Sequence, residues 1–439
     1  MRESSFKKNV LTLLTGTTVA QAIPIAISPI LTRMYSPEEF GILAIFVSIV
    51  TIFSVLVTGS YDMAIILPKK DIDALHILKL SMIITISVSL FLFCIIFIFN
   101  QQLTDLIGTK DIALWLYFTP FAILLTGIYQ NFNYWLNRQQ YYKEIALSRV
   151  SQSFGTGLVQ LGMGIFGFLS SGLIIGRIIG QIVATIIVSK IYFNKREYYQ
   201  KKKLKLIALA KRYKKFPLFE SWSNMLNTSS TEVPVIMISS FFSPTMSGFY
   251  SIANRMLLLP MSLVGSSIGQ VFLQKASSIK NDQSQLTDLT WNIYKKLLLI
   301  GVIPISIIII YADIIFTFIF GSNWHIAGEF AQILGIWILF VFITSPLSML
   351  VIVKEKQKEA LFFNVFIFLS RIASIIVGYN VFSNIYYTLG LFAITGVLFW
   401  VFWFCYILKL VNIRPIVAII ELLKYFLPSI SILYLIRIV

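Results

Sequence analysis

The chain has 439 residues, 57% of them hydrophobic and only 13% charged, with a mean hydropathy of +0.82. No soluble fold of this length hides so much apolar surface, so composition excludes a water-soluble protein. The formal net charge of +17 does not indicate nucleic acid, because Lys and Arg fall in short breaks beside apolar runs, as expected near an anionic inner leaflet.

Apolar runs of about 20 residues read as membrane-spanning helices, since unpaired backbone groups cost several kcal/mol in lipid. The N-terminus carries Arg2, Lys7 and Lys8, then an apolar stretch and Ala20-Gln21-Ala22, the outline of a signal peptide. The run continues through Pro24 and Pro29 to Leu31, so it reads as an uncleaved first span. Spans are predicted at 10–32, 39–60, 76–99, 112–135, 145–168, 171–193, 217–242, 246–271, 293–320, 328–352, 360–381 and 385–411. The tail at 415–438 is apolar but interrupted by Glu421, Lys424 and Pro428. It reads as a thirteenth span or an interfacial helix, with the interface favoured.

Every second break is basic. One set carries Arg2, Lys7 and Lys8; Lys69 and Lys70; Arg138 and Lys143; Lys275 and Lys280; Lys354, Lys356 and Lys358; and Lys409 and Arg414. The break at 194–216 adds Lys195, Arg196, Lys201, Lys202, Lys203, Lys205, Lys211, Arg212, Lys214 and Lys215. The opposite breaks hold only Arg33 and Lys110. This asymmetry predicts a cytoplasmic N-terminus. The external breaks are too short for an extracellular domain.

A repeat is visible. Ser36-Pro37-Glu38-Glu39-Phe40-Gly41 follows the first span, and Ser243-Pro244-Thr245-Met246-Ser247-Gly248 follows the seventh. A second echo pairs Lys143-Glu144-Ile145-Ala146-Leu147 with Lys358-Glu359-Ala360-Leu361. The expected organisation is a six-helix lobe at 1–193, a basic linker at 194–216, a second six-helix lobe at 217–411 and the tail at 412–439. Parallel repeats of this kind place a substrate path between halves.

Gly162-Met163-Gly164-Ile165-Phe166-Gly167 matches a dinucleotide fingerprint but lies inside a span, without a preceding strand. Gly172, Gly176 and Gly180 form a stripe for close helix packing, or less favourably for homodimerisation. Asn227-Thr228-Ser229 is a sequon inside a span and reads as noise. Cys94 and Cys405 lie in apolar runs and read as buried thiols. His76 and His325 fall on opposite predicted sides. No metal, cofactor or catalytic constellation is expected.

Ionisable groups inside spans are costly and usually face a cavity or a partner. Arg177, Arg255 and Arg371 are the substrate-path candidates, because Arg grips phosphate with a planar fork. Glu220, Glu232 and Asp313 are the ion-coupling candidates; structural ion pairs are the competing explanation for all six. Asp62, closing the second span, reads as an interfacial cap.

The basic opening, the first span, Thr32-Arg33-Met34-Tyr35-Ser36-Pro37-Glu38-Glu39-Phe40-Gly41 and the segment Tyr61–Pro68 resemble bacterial polysaccharide flippases. These are the Wzx-like O-antigen and capsule repeat-unit translocases of the multidrug/oligosaccharidyl-lipid/polysaccharide exporter superfamily. The resemblance implies an all-α integral membrane protein of two six-helix lobes, MATE-like, around a central cavity. It implies movement of an undecaprenyl-diphosphate-linked oligosaccharide from inner to outer leaflet, with glycan polymerase and chain-length proteins as partners. The alternatives are a multidrug cation exporter of the same fold and a membrane glycan polymerase or ligase. The first lacks mid-depth acids in the first six spans, and the second lacks external loops for catalytic groups.

Overall fold

The computed structural model describes residues 2–194, 206–260 and 265–438. The first six basic residues of the linker, Lys195 to Lys205, lie outside the described residues. All regular structure among the described residues is helical, and it forms two compact units, Met1–Gly248 and Phe249–Val439.

In the first unit the chain runs through α1 (Arg2–Met34), α2 (Pro37–Ser54), the short α3 (Tyr61–Ala64), α4 (Asp71–Ile107) and the short α5 (Ala113–Leu116). It continues through α6 (Thr119–Arg138), α7 (Tyr142–Ile165), α8 (Leu169–Asn194), α9 (Leu206–Arg212), a π-helical turn at Phe216–Glu220 and α10 (Ser221–Phe241). The first turn of α11 (Pro244–Pro260) closes the unit. The second unit holds the rest of α11, then α12 (Ser266–Ser278), α13 (Gln283–Phe320), α14 (His325–Leu347) and the short α15 (Leu350–Val353). It ends with α16 (Gln357–Phe382), α17 (Ile385–Lys409) and α18 (Pro415–Ile438).

Among the described residues helix runs through most of each predicted span; residues 55–60 of the second are a turn, and 261–264 of the eighth lie outside the described residues. Among the described residues, 8 helices are long and apolar enough to cross a membrane singly; counting the bent pair Lys110–Leu116 and Thr119–Arg138 (47°) as one broken span makes up to 9. The spans that fall short, α1, α7, α10 and α11 with α12, are the more polar ones. In α10 the polar residues Asn224, Asn227 and Thr228, and in α7 Arg149, line the cavity described below.

The corner after α1 shows why the repeat motif exists. Ser36 caps α2: its hydroxyl accepts from Glu39 N–H, and the Glu39 carboxylate accepts from Ser36 N–H at 2.6 Å. Pro37 supplies the preset φ of the first helical residue. A Cβ on Gly41 would overlap the carbonyl oxygen of Pro244, and one on Gly248 would overlap the carbonyl oxygen of Pro37. The two Ser-Pro-x-x-x-Gly corners therefore cross reciprocally, glycine on proline carbonyl. Beside them the Tyr35 hydroxyl donates to Gln160 O at 2.7 Å. Burial, with Glu39 adding to it, pushes this phenol up to about 12, so it stays a donor at physiological pH.

The glycine stripe of α8 packs within the unit: Gly176 sits on Gln160 and Gly180 on Thr156, both of α7. Cys94 and Cys405 are free thiols, and Cys94 is exposed where a buried thiol was expected, because it lies on an outward face of α4.

The tail forms one helix, long and apolar enough to cross a membrane. α18 lies alongside α13 from end to end. The Tyr294 hydroxyl donates to Ala418 O, Ser306 Oγ meets Ser429 Oγ at 2.8 Å and Tyr311 donates to Leu433 O at 2.9 Å. Arg437 Nη2 reaches Asp313 Oδ2 at 2.6 Å. The partners advance together along both helices, so the pair is parallel, which is the geometry of a further span. The interruptions Glu421 and Lys424 fall within its first three turns, leaving 425–436 apolar.

Replacing Gly41 or Gly248 with Ala is expected to lower stability by about 1–3 kcal/mol through overpacking at the crossed corners. Gly162, with open space around its Cβ position in α7, serves as control. There Ala should be neutral or should stabilise by up to about 1 kcal/mol. Thermal unfolding in detergent measures the contrast; equal behaviour of all three variants would contradict the crossing.

Candidate functional site

Three helices of the first unit turn a polar face inward at one end. On α6 these are Tyr129, Gln130, Asn133, Tyr134 and Asn137, spaced to share one face. On α10 they are Asn224, Asn227 and Thr228, and on α7 Arg149. With Ser54, Val55, Thr58, Ser60, Asp62 and Met63 from the segment after α2, they line a cavity of about 550 Å³. That is within the range of small-molecule sites, about 300–1,000 Å³.

The cavity lies at the end that carries the basic breaks, where α6 and α2 finish and α4, α7 and α10 begin. Arg138 fixes this end. Its guanidinium donates twice to Asp71 Oδ1, at 2.8 and 2.7 Å, and to the carbonyls of Ile65 and Ile66. An apolar cluster of Tyr61, Leu75, Phe132, Trp135, Ile145 and Tyr192 backs the wall. Within the wall Asn133 donates to Tyr129 Oη at 3.1 Å, and Tyr129 Oη meets Ser148 Oγ at 3.3 Å. Arg149 donates to Thr17 Oγ1 on α1 at 2.8 Å. It sits about 10 Å along α7 from the helix start, at 1.5 Å per residue.

The lining combines neutral amides and hydroxyls with one arginine, one buried carboxylate and two tyrosine rings. Amides and hydroxyls suit the many donors and acceptors of a sugar, and Tyr129 and Tyr134 offer aromatic rings. Arg149 supplies one positive group able to grip an anion by paired charge-assisted bonds. Asp62 is buried, and Tyr134 lies within electrostatic range of both Asp62 and Glu220. Among the described residues no group of three His, Cys, Asp or Glu side chains could hold a metal ion.

The sequence-predicted residues are dispersed. Glu220, in the π-helical turn, is exposed and accepts from Asn224 Nδ2 at 3.4 Å, at the rim of the cavity. Glu232 is half-buried on α10 and accepts from Ser48 Oγ of α2 at 2.7 Å. Arg177 is exposed on α8, beside a separate small cavity with Thr51, Thr126 and Gln181. In the second unit Arg255 is exposed on α11. Arg371 is only 5% exposed, with its guanidinium 5.0 Å from the Trp337 ring centroid and 5.9 Å from that of Phe392. Asp313 pairs with Arg437 and accepts from Gln332 at 2.9 Å, with His325 4.0 Å away.

Arg149 is the residue that sequence reasoning missed. It falls four residues inside the predicted fifth span, close to its basic break. The available signal was the run Arg149, Gln152, Thr156, Gln160, a polar stripe at helical spacing. The sequon likewise stood for something else: Asn227 and Thr228 face the cavity.

The sequence profile of the polysaccharide biosynthesis protein family matches residues 30–329. The chain belongs to that family. It is 23% identical over 263 residues to the succinoglycan biosynthesis transport protein ExoT of Rhizobium meliloti (strain 1021), an alignment covering 58% of the chain and 51% of ExoT. It is 19% identical over 367 residues to the lipopolysaccharide biosynthesis protein WzxC of Escherichia coli (strain K12), covering 82% of the chain and 72% of WzxC. The chain thus spans about half the length of ExoT. Its fold is similar to that of the lipid II flippase MurJ in an inward closed conformation, with a TM-score of 0.76 and 15% identity. That match covers 98% of this chain and 92% of MurJ. An inward-facing multidrug resistance MATE family transporter gives 0.75 at 12% identity, covering 91% and 98%. The polysaccharide biosynthesis family and the MATE-like fold agree with the expectation from sequence, and the chain is a multi-pass membrane protein.

If the cavity is water-filled, cysteines placed at Asn133 and Asn227 in a cysteine-free background should react with a hydrophilic thiol reagent in membranes. A cysteine at Leu136, 0% exposed, should not. Equal labelling of all three would remove the cavity.

Proposed function

We propose that the protein carries a lipid-linked oligosaccharide across the bacterial cytoplasmic membrane, from inner to outer leaflet, for surface polysaccharide synthesis. The observation that carries this reading is the cavity of the first unit, which joins amides, hydroxyls and two tyrosines to a single arginine. That lining suits a sugar head next to a phosphate. The relatives named for succinoglycan transport and lipopolysaccharide biosynthesis support a transporter over an enzyme.

The substrate proposed is an undecaprenyl-diphosphate-linked glycan, with the head in the cavity and the prenyl tail in lipid. Arg149 holds a phosphate oxygen, and the amides of α6 and α10 accept and donate to the first sugars. Arg255, and Arg177 at its separate small cavity, are candidates for further substrate contacts. Arg371, buried with its guanidinium over the Trp337 and Phe392 rings, acts mainly through packing. With the N-terminus in the cytoplasm, the basic end and its cavity face the compartment where such glycans are assembled. An inside-negative potential then favours outward movement of an anion by about 2.3 kcal/mol per charge per 100 mV. Glu220, at the cavity rim, and Glu232, between α2 and α10, are placed to respond to a coupling ion. A glycan polymerase with its chain-length partner would take up the product outside.

Replacing Arg149 with Ala should abolish export, and Lys should restore part of it, because Lys supplies charge without the fork. Surface polysaccharide and accumulated lipid-linked repeat units are the readouts, with membrane abundance measured alongside. Normal export by a well-expressed Arg149→Ala variant would remove the role. Arg371→Ala should instead reduce abundance and thermal stability in parallel with export.

A further inference from the structure

The second span is interrupted where it meets the cavity. α2 stops at Ser54, and α3 begins only at Tyr61. Gly59 and Ser60 take φ of 58° and 55°, the left-handed region, which for Ser60 is a strained choice. The C-terminal, negative end of the α2 dipole therefore borders the cavity at Ser54 and Val55.

Oxygen atoms gather there. Ser54, Thr58, Ser60 and Asp62 all line the cavity. Asp62 is 5% exposed, and it accepts from Thr58 Oγ1 at 2.8 Å. No Lys or Arg among the described residues lies within ion-pair distance of it. Ser60 Oγ meets Ser221 Oγ at 2.9 Å. Ser54 is also 5% exposed, and its hydroxyl has no hydrogen-bond partner among the described residues. A buried hydroxyl without a partner and a buried carboxylate without a counter-charge among the described residues, both lining one cavity, are costly unless something else completes them.

We infer that this interruption binds a small monovalent cation, with Asp62 as the charged ligand and Ser54, Thr58 and Ser60 as neutral oxygen ligands. Hard cations take oxygen ligands, and one carboxylate matches one charge. Hydroxyl protons rotate freely, so Thr58 can turn a lone pair to the ion. Interrupted helices whose C-terminal ends and freed backbone face a cavity are a recurrent transporter solution for such ions. Asp62 and Arg149 line one cavity, so a cation and an anionic substrate would occupy it together. The inference does not rest on the glycan reading, since the cation alone is the probe.

The test is thermal unfolding of the purified full chain in detergent, in sodium chloride against choline chloride at equal ionic strength. Sodium should raise the midpoint saturably. Asp62→Asn should abolish the shift, and Ser54→Ala and Thr58→Val should each weaken half-saturation by about tenfold or more. Should Asp62→Asn fail to fold, the two hydroxyl variants decide. Absence of a sodium-specific shift in the unmodified protein overturns the site. So does a shift that survives in the hydroxyl variants at unchanged affinity, which would place the ion elsewhere.

Discussion

The site depends on one break in a helix. A continuous second span would satisfy its own backbone and carry its side chains around the helix in the usual periodicity. Ending α2 at Ser54 and passing through two left-handed residues gathers Ser54, Thr58, Ser60 and Asp62 onto one wall instead. In a bilayer such irregular backbone is tolerated only where protein or trapped water can satisfy it. Here α4, α6 and the start of α10 surround it. Thr58 O accepts from Ser81 Oγ, Ser60 meets Ser221, and Arg138 ties the following turn to α4. The break and the cavity therefore require each other.

The second unit answers the same constraint differently. Arg371 keeps its charge inside the protein by stacking on Trp337 and lying near Phe392, an arrangement in which ring faces replace water. Asp313 is met by Arg437 from α18, with Gln332 and His325 beside it. Tyr386 donates to Glu329 at 2.6 Å, and His325 lies 3.5 Å from the same carboxylate. These groups hold helices together. An intramembrane charge is thus expensive in both units, and in the first it borders open space.

Much of this was legible in the sequence. Apolar run length and alternating basic breaks placed helix along most of each predicted span, because hydrogen-bond satisfaction in lipid leaves little other structure. The Ser-Pro-x-x-x-Gly echo marked two helix starts, and the structure adds that they cross, which no single corner reveals. In the tail Glu421 and Lys424 occupy the beginning of α18 and its later turns are uncharged, a distribution that shows only once the helix start at Pro415 is fixed. The candidate site was less legible. Depth along a span singled out Arg177, Arg255 and Arg371, yet depth does not say which way a side chain faces. Arg149 was hidden by its closeness to a span end, and the amides that surround it carry no charge to draw notice. Faces shared between helices distant in sequence, such as α6 and α10, emerge only once the helices are packed.

The most direct test of a glycan in this cavity is site-specific photocrosslinking in growing cells. A benzoylphenylalanine placed at Tyr134, on the cavity wall, is compared with one at Leu158, 57% exposed on α7 and absent from the cavity lining. After irradiation the protein is purified and probed by mass spectrometry for a covalently attached lipid-linked glycan. Adduct at 134 and none at 158 is the result expected. Adduct at 158 alone, or none at 134 in cells that still export polysaccharide, would contradict a substrate path through the first unit.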